Sequence, residues 1–89
     1  MTKPVYVVVG VGEGNGAALA RAFAREGMAL ALLARGTSFT ESLAKELGDG
    51  RAYACDVTDA ASVADTFSRI RADLGEPSTV IYNAGPGVW

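Results

Sequence analysis

Four short apolar segments alternate with three helical patterns along this chain, and that alternation limits its possible folds more than any other feature. The segments are Val5–Val9 (VYVVV), Ala29–Ala34 (ALALLA), Ala52–Asp56 (AYACD) and the run TVIYNAG from Thr79 to Gly85. An unbroken apolar run such as Val5–Val9 is the pattern of a strand buried on both faces. Between the first two lies AALARAFAREG, in which Leu19 and Phe23 stand four apart on one helical face and Gly27 is placed to end the helix. Ser38 and Glu41 have the S-x-x-E spacing of a capping box, and Phe39, Leu43 and Leu47 then recur every four residues up to Gly48. A third helix is expected from near Asp59, with Val63, Phe67, Ile70 and Leu74 as its stripe and Gly75 and Pro77 at its end. Strands joined through helices run parallel, and right-handed crossovers place those helices on both faces of the sheet. The expected fold is therefore a doubly wound α/β sheet of four strands and three helices. In such sheets ligands sit beyond the carboxyl ends of the strands, where strand order reverses. Here that point is the end of the first strand.

Composition narrows the partners. The chain has 89 residues, 49% of them hydrophobic, which suits one small domain burying about 60 to 65% of its unfolded surface. Neither linker nor low-complexity tract interrupts it, so residues 1–89 read as one unit. Eight basic and ten acidic side chains leave a net charge of −2 and no basic cluster to follow a phosphate backbone, so nucleic acid is not an expected partner. The apolar runs are strand-sized and MTKP is not followed by a signal peptide, so no membrane segment is expected and the cytoplasm is the expected location. Cys55, the single cysteine, cannot form an internal disulfide, and histidine is absent. No metal site is expected.

Directly after the first strand comes GVGEGNG, with glycine at 10, 12, 14 and 16. A tight strand-to-helix turn can need positive φ, and a pyrophosphate must approach backbone N–H groups closely. Glycine permits both, and the helix opening at Gly14 to Gly16 adds its positive dipole end. The spacing has more than one register: Gly12, Gly14 and Ala17 fit G-x-G-x-x-A, whereas Gly10, Gly14 and Gly16 fit G-x-x-x-G-x-G. The same glycines could serve only close packing. A Walker A loop is excluded, because no lysine follows.

VGVGEGNG (residues 9–16) resembles the T-G-x-x-x-G-x-G loop of the short-chain dehydrogenase/reductase family, and two further motifs follow in order. Cys55–Val57 (CDV) looks like that family's D-V pair after the third strand, and Asn83–Gly85 (NAG) resembles its N-N-A-G at the end of the fourth. The resemblance implies a Rossmann-like fold and hydride transfer between a nicotinamide dinucleotide and a small carbonyl or alcohol substrate. It implies cofactor contacts at Gly10, Gly12, Gly14, Asn15, Gly16, Ala34, Arg35, Asp56, Val57, Asn83, Ala84 and Gly85, with Asp56 near the adenine. Val9 stands for the usual Thr, Tyr82 for the first Asn, and Glu13 where many NADP-using members carry a basic residue. The family's catalytic Y-x-x-x-K has no counterpart, since Gly10, Val57 and Pro86 lie four residues after the three tyrosines and no lysine follows Lys45. The chain is thus expected to be the amino-terminal part of a longer reductase, able to bind but holding no catalytic residue.

Cofactor choice turns on the end of the second strand. A site selective for NAD usually carries an acid there for the ribose 2′-OH. Ala34 offers none, and the guanidinium of Arg35 matches phosphate oxygens. NADP(H) is expected to be preferred, with NAD(H) still accepted. Bland readings stand beside these: Cys55 as a small buried hydrophobe, Tyr82 as core packing, Asp56 as a turn or cap residue, Arg69 and Arg71 as a solvated helix face. Two other functions remain open at this level, a nonenzymatic dinucleotide sensor and an S-adenosylmethionine-dependent methyltransferase, whose G-x-G-x-G turn Gly10, Gly12 and Gly14 satisfy. The fourth strand is expected to expose an apolar edge at Thr79 to Tyr82, and a homo-oligomer is expected.

Overall fold

A computed structural model of the chain describes residues 3–11 and 14–83. The elements run β1 (Val5–Val9), α1 (Asn15–Arg25), β2 (Ala29–Ala34), α2 (Ser38–Leu47), β3 (Gly50–Ala54), α3 (Ala60–Asp73) and β4 (Pro77–Tyr82). The four strands form one parallel sheet in the order β3-β2-β1-β4. The chain steps from β1 outward to β2 and β3, then returns through α3 to β4 on the other side of β1. Strand order therefore reverses at β1, and the fold is Rossmann-like.

Alternation along the strands divides the core in two. Val5, Val7, Val9, Ala29, Ala31 and Leu33 point to the face covered by α3, where Ile70 is buried and Val63, Phe67 and Leu74 pack against them. Val8, Leu30 and Leu32 point to the opposite face, covered by α1 and α2 through Ala17, Ala20, Leu43 and Ala44. Leu30, Leu32, Leu33, Val7, Val8 and Ile70 are fully buried, each removal from water contributing roughly 1.5–3 kcal/mol. Tyr6 meets Phe23 of α1 edge to face, with ring centroids 5.0 Å apart.

Some local expectations need correction. α1 lays Ala17, Ala20, Phe23 and Ala24 on the sheet, and Leu19 is only half-buried; small residues let this helix lie close. Ser38 does not cap α2. Thr37 occupies the N-cap without a side-chain bond, and Ser38 is already helical. The buried Thr40 hydroxyl instead donates to the Thr37 carbonyl at 3.2 Å. Asp59 does cap α3, its Oδ1 accepting the Ala61 N–H at 3.0 Å. β3 starts at Gly50, two residues before the apolar run, because it pairs with Leu30 there. β4 opens on Pro77, a position where a missing N–H costs no ladder bond. Its register then shifts by one residue at Ser78, whose hydroxyl donates to the Val5 carbonyl at 3.2 Å.

That shift sends Val80 and Tyr82 to the α3 face, opposite Val7 and Val9. α3 covers β1 and β2 but not the outer strand, so Val80 is 51% and Tyr82 65% exposed. Tyr82 is therefore not core packing, whereas the expected apolar edge is present. An apolar cavity of about 270 Å³ opens beside it, lined in part by Cys55, Val57, Phe67 and Tyr82.

Candidate functional site

The parallel register brings four strand ends to one edge of the sheet. Val9 is level with Leu33 on one side and Tyr82 on the other, and Leu33 with Tyr53. Gly10, Ala34 with Arg35, Asp56 with Val57, and Asn83 all follow within a few residues of that row.

The turn after β1 is held by backbone chemistry. Gly10 has φ 88°, a left-handed conformation that side chains rarely adopt. Its N–H donates to the Leu33 carbonyl at 2.8 Å, and the Val11 N–H donates to the same oxygen at 3.0 Å. From the other side, the Asn83 N–H donates to the Val9 carbonyl at 2.8 Å and its Nδ2 to the Gly10 carbonyl at 3.4 Å. Gly16 then packs onto the turn: an added Cβ would lie 2.9 Å from Val11 Cα and 3.0 Å from the Gly10 oxygen. Gly14 is different, with open space where its Cβ would be and an exposed position.

This geometry leaves donors at the start of α1. The first helical bond runs from the Ala18 N–H to the Gly14 carbonyl, so the N–H groups of Asn15, Gly16 and Ala17 precede any intrahelical acceptor. Gly14 supplies no side-chain cap, and the first turn contains no acid. Among the described residues no side chain caps or neutralises the positive end of the helix, which opens beside an exposed glycine, an arrangement suited to an anion.

The turn after β3 is held by side chains. Asp56 Oδ1 accepts the Thr58 hydroxyl at 2.6 Å and the Thr58 N–H at 3.0 Å, and the Asp56 N–H donates to Ser62 Oγ at 3.1 Å. The Thr58 hydroxyl and then its N–H hold the Asp56 carboxyl below its usual range, with the charge of Arg35 adding in the same direction and desolvation opposing. Arg35 is exposed and Ala34 half-buried, so the end of β2 itself carries no acid. Val57 packs on the α3-side core.

The edge therefore gathers Gly10, Gly14, Asn15, Gly16, Ala34, Arg35, Asp56, Val57 and Asn83. Gly12, Glu13, Ala84, Gly85 and Trp89 lie outside the described residues. Thr58, Ser62 and the Leu33 carbonyl were not anticipated. Thr two residues after Asp is a readable turn signal, whereas a carbonyl acceptor on another strand leaves no mark in sequence. Arg69 pairs with Asp65 one turn earlier on the surface of α3, at 3.1 Å.

Elsewhere the chemistry is structural. Cys55 is buried. The Tyr53 hydroxyl donates to Asp73 at 2.8 Å, tying β3 to α3; burial first, then Asp73, pushes its ionisation above the usual range. Among the described residues no cluster of three metal-ligating side chains occurs, and no helix is long and apolar enough to cross a membrane.

Comparison with known proteins places this edge in context. Residues 4–88 match the short chain dehydrogenase family pattern. The chain is 36% identical over 85 residues to D-threitol dehydrogenase of Mycolicibacterium smegmatis, covering 91% of this chain and 33% of that protein. An alcohol dehydrogenase from the archaeon Thermococcus sibiricus, solved with 5-hydroxy-NADP, superimposes with a TM-score of 0.83 at 35% identity over 88% of this chain and 35% of its own. A metagenomic short-chain oxidoreductase solved with NADP superimposes with a TM-score of 0.87 at 27% identity over 96% of this chain and 40% of its own. The chain spans about a third of the length of the curated relatives it matches. A methyltransferase reading of the glycines does not survive a match that runs through all three motifs.

Proposed function

Since the chain belongs to the short chain dehydrogenase family, we propose that it forms the dinucleotide-holding part of an oxidoreductase that prefers NADP(H) to NAD(H) and acts, as a full-length protein, on a small carbonyl or alcohol. The observation that carries this reading is the start of α1, with no side-chain cap from Gly14 and no acid in its first turn, beside the open Gly14 at the point where strand order reverses.

Each residue then has a task. The N–H groups of Asn15, Gly16 and Ala17 donate to the pyrophosphate, and Gly14 lets it come close. Gly10 and Asn83 shape the turn without spending a donor on the ligand. Arg35 pairs with the 2′-phosphate, and Ala34 leaves room where a carboxylate would repel it. Asp56 and Val57 border the adenine, with Gly12, Ala84 and Gly85 assigned to the cofactor by motif alone. When bound, the dinucleotide supplies or takes up the hydride. Proton transfer is assigned to the part of the longer relatives that this chain does not span, because no tyrosine here has a lysine four residues on. The uncharged strand β4, with Val80 and Tyr82 exposed, supports self-association, and the single unpaired cysteine supports a cytoplasmic setting.

Calorimetric titration of the full-length protein with NADP(H) and NAD(H), before and after Arg35→Ala, tests the assignment. The substitution should weaken NADP(H) roughly 10- to 100-fold, the weight of charge-assisted hydrogen bonds, and leave NAD(H) almost unchanged. Equal losses for both cofactors would refute the role of Arg35.

A further inference from the structure

We propose that the outer edge of β3 is an interface at which two copies of this chain pair, antiparallel about a twofold axis at Ala52, so that their two sheets join into one. The pairing is independent of what the ligand edge binds and separate from the apolar edge of β4.

The backbone of β3 has an unused side. The Leu30 N–H donates to the Asp49 carbonyl at 3.0 Å and the Cys55 N–H to the Ala34 carbonyl at 2.9 Å, with Gly50 level with Leu30 and Ala54 level with Ala34. Backbone groups alternate in direction along a strand, so Arg51 and Tyr53 serve β2 while the N–H and C=O groups of Gly50, Ala52 and Ala54 point outward. Among the described residues β3 ends the sheet and nothing pairs with that side. Such an edge is a template for another strand unless it is blunted. The opposite edge, β4, opens on Pro77 and shifts register at Ser78, whereas β3 has no proline and keeps a regular register throughout.

The charges beside the edge select a second copy as the partner. A groove of about 270 Å³ follows β3 between α2 and α3, and Glu41, Lys45, Arg51 and Asp73 line it. All four are exposed, and among the described residues Glu41, Lys45 and Arg51 form no ion pair. Asp73 accepts the Tyr53 hydroxyl on the α3 side of the sheet, and Arg51, two residues before Tyr53, lies on that same side. Pairing about Ala52 sets Arg51 opposite Tyr53 of the second copy and so beside its Asp73. On the other face Glu41 and Lys45 stand one turn apart on α2, and the same axis brings Glu41 of each copy toward Lys45 of the other. Acid meets base at every one of these contacts. A foreign strand would match them only by carrying the same pattern.

Sedimentation velocity of the full-length protein over about a hundredfold range of concentration, with amide hydrogen exchange at Gly50, Ala52 and Ala54, tests the pairing. We expect concentration-dependent association, with the three amides protected only in the associated form. Ala52→Pro removes an outward N–H, so the fold survives while association weakens roughly 10- to 100-fold. Glu41→Lys should weaken it roughly 5- to 30-fold, because like charges then meet twice across the axis, and adding Lys45→Glu should restore it. Association unchanged in Ala52→Pro, or not restored in the double variant, would overturn the proposal. Association abolished by Val80→Lys but kept in Ala52→Pro would overturn it as well, and would put the contact at β4. A wild type that stays monomeric throughout would also overturn it, and protection of the three amides in that monomer would mean that another segment of the longer protein covers β3.

Discussion

The turns after β1 and β3 reach the same edge of the sheet, yet they are built from different materials. Among the described residues the first is almost entirely backbone: Gly10 at φ 88°, two N–H groups on the Leu33 carbonyl, and Gly16 pressed against Val11. The second is a set of side chains, with Asp56, Thr58, Asp59 and Ser62 all bonded through oxygens. On the dinucleotide reading proposed above, the difference follows from what each turn would meet. A pyrophosphate is the same in every dinucleotide and is best met by fixed N–H groups, whereas a base and a 2′-phosphate carry identity and are read by side chains. In the first turn the cost of a substitution is set by space, and in the second by lost hydrogen bonds.

The sharpest way to break this contrast is to add bulk at the two neighbouring glycines. Gly16→Val places its Cβ within 3 Å of backbone atoms, so the helix must move away. We expect a loss of about 2 kcal/mol and a fall in Tm of roughly 10 °C, read by circular dichroism. Gly14→Val meets nothing within 4 Å. Its stability should stay within about 0.5 kcal/mol, while NADP affinity falls roughly tenfold or more because the phosphate path is filled. If Gly16→Val were the stable variant and Gly14→Val the unfolded one, the division between packing and ligand access would be wrong.

A smaller effect separates the turns by acid. Thr58 holds the Asp56 carboxyl below the usual range, so the stabilisation it contributes is present above about pH 4, the ordinary carboxylate value, and is lost as pH falls through the lowered folded value. Among the described residues, the bonds that hold Gly10 and Val11 in the turn after β1 run between backbone groups that do not titrate. Hydrogen exchange from pH 5 down to pH 2, corrected for intrinsic rates, should show protection fading at the Thr58 amide while the Gly10 and Val11 amides keep theirs. Parallel loss at all three would mean that the turns open together.

Much of this fold is legible in the sequence because its central strands are buried on both faces. Val5–Val9 and Ala29–Ala34 need no partner to be recognised, and the Val63, Phe67, Ile70 and Leu74 stripe marks α3 in the same way. Legibility ends where a neighbour decides. Tyr82 sits in an apolar strand yet is exposed, because α3 lies over β1 and β2 and the bulge at Ser78 sets which face Tyr82 takes. Gly50 and Arg51 join β3 through pairing with β2, against their own weak strand preference. The S-x-x-E spacing points to Ser38 as the cap of α2, but the backbone starts the helix one residue earlier, with Thr37 at the N-cap. At the site, the positions of the glycines are visible but their separate reasons are not. Gly10 answers to conformation, Gly16 to packing and Gly14 to open space, and only the arrangement of β1, β2 and α1 tells them apart.

The central claim is that the amides opening α1 receive the phosphates of a dinucleotide at the reversal of strand order. Titrating NADPH into the 15N-labelled full-length protein and following backbone amide shifts tests this most directly. We expect saturable shifts at Asn15, Gly16 and Ala17 and smaller ones at Gly10 and Val11, whose N–H groups stay on Leu33. Residues 26–28 and 48–49, at the opposite end of the sheet, should not move. Saturable shifts centred on that opposite end, with Asn15 to Ala17 unmoved, would contradict the account.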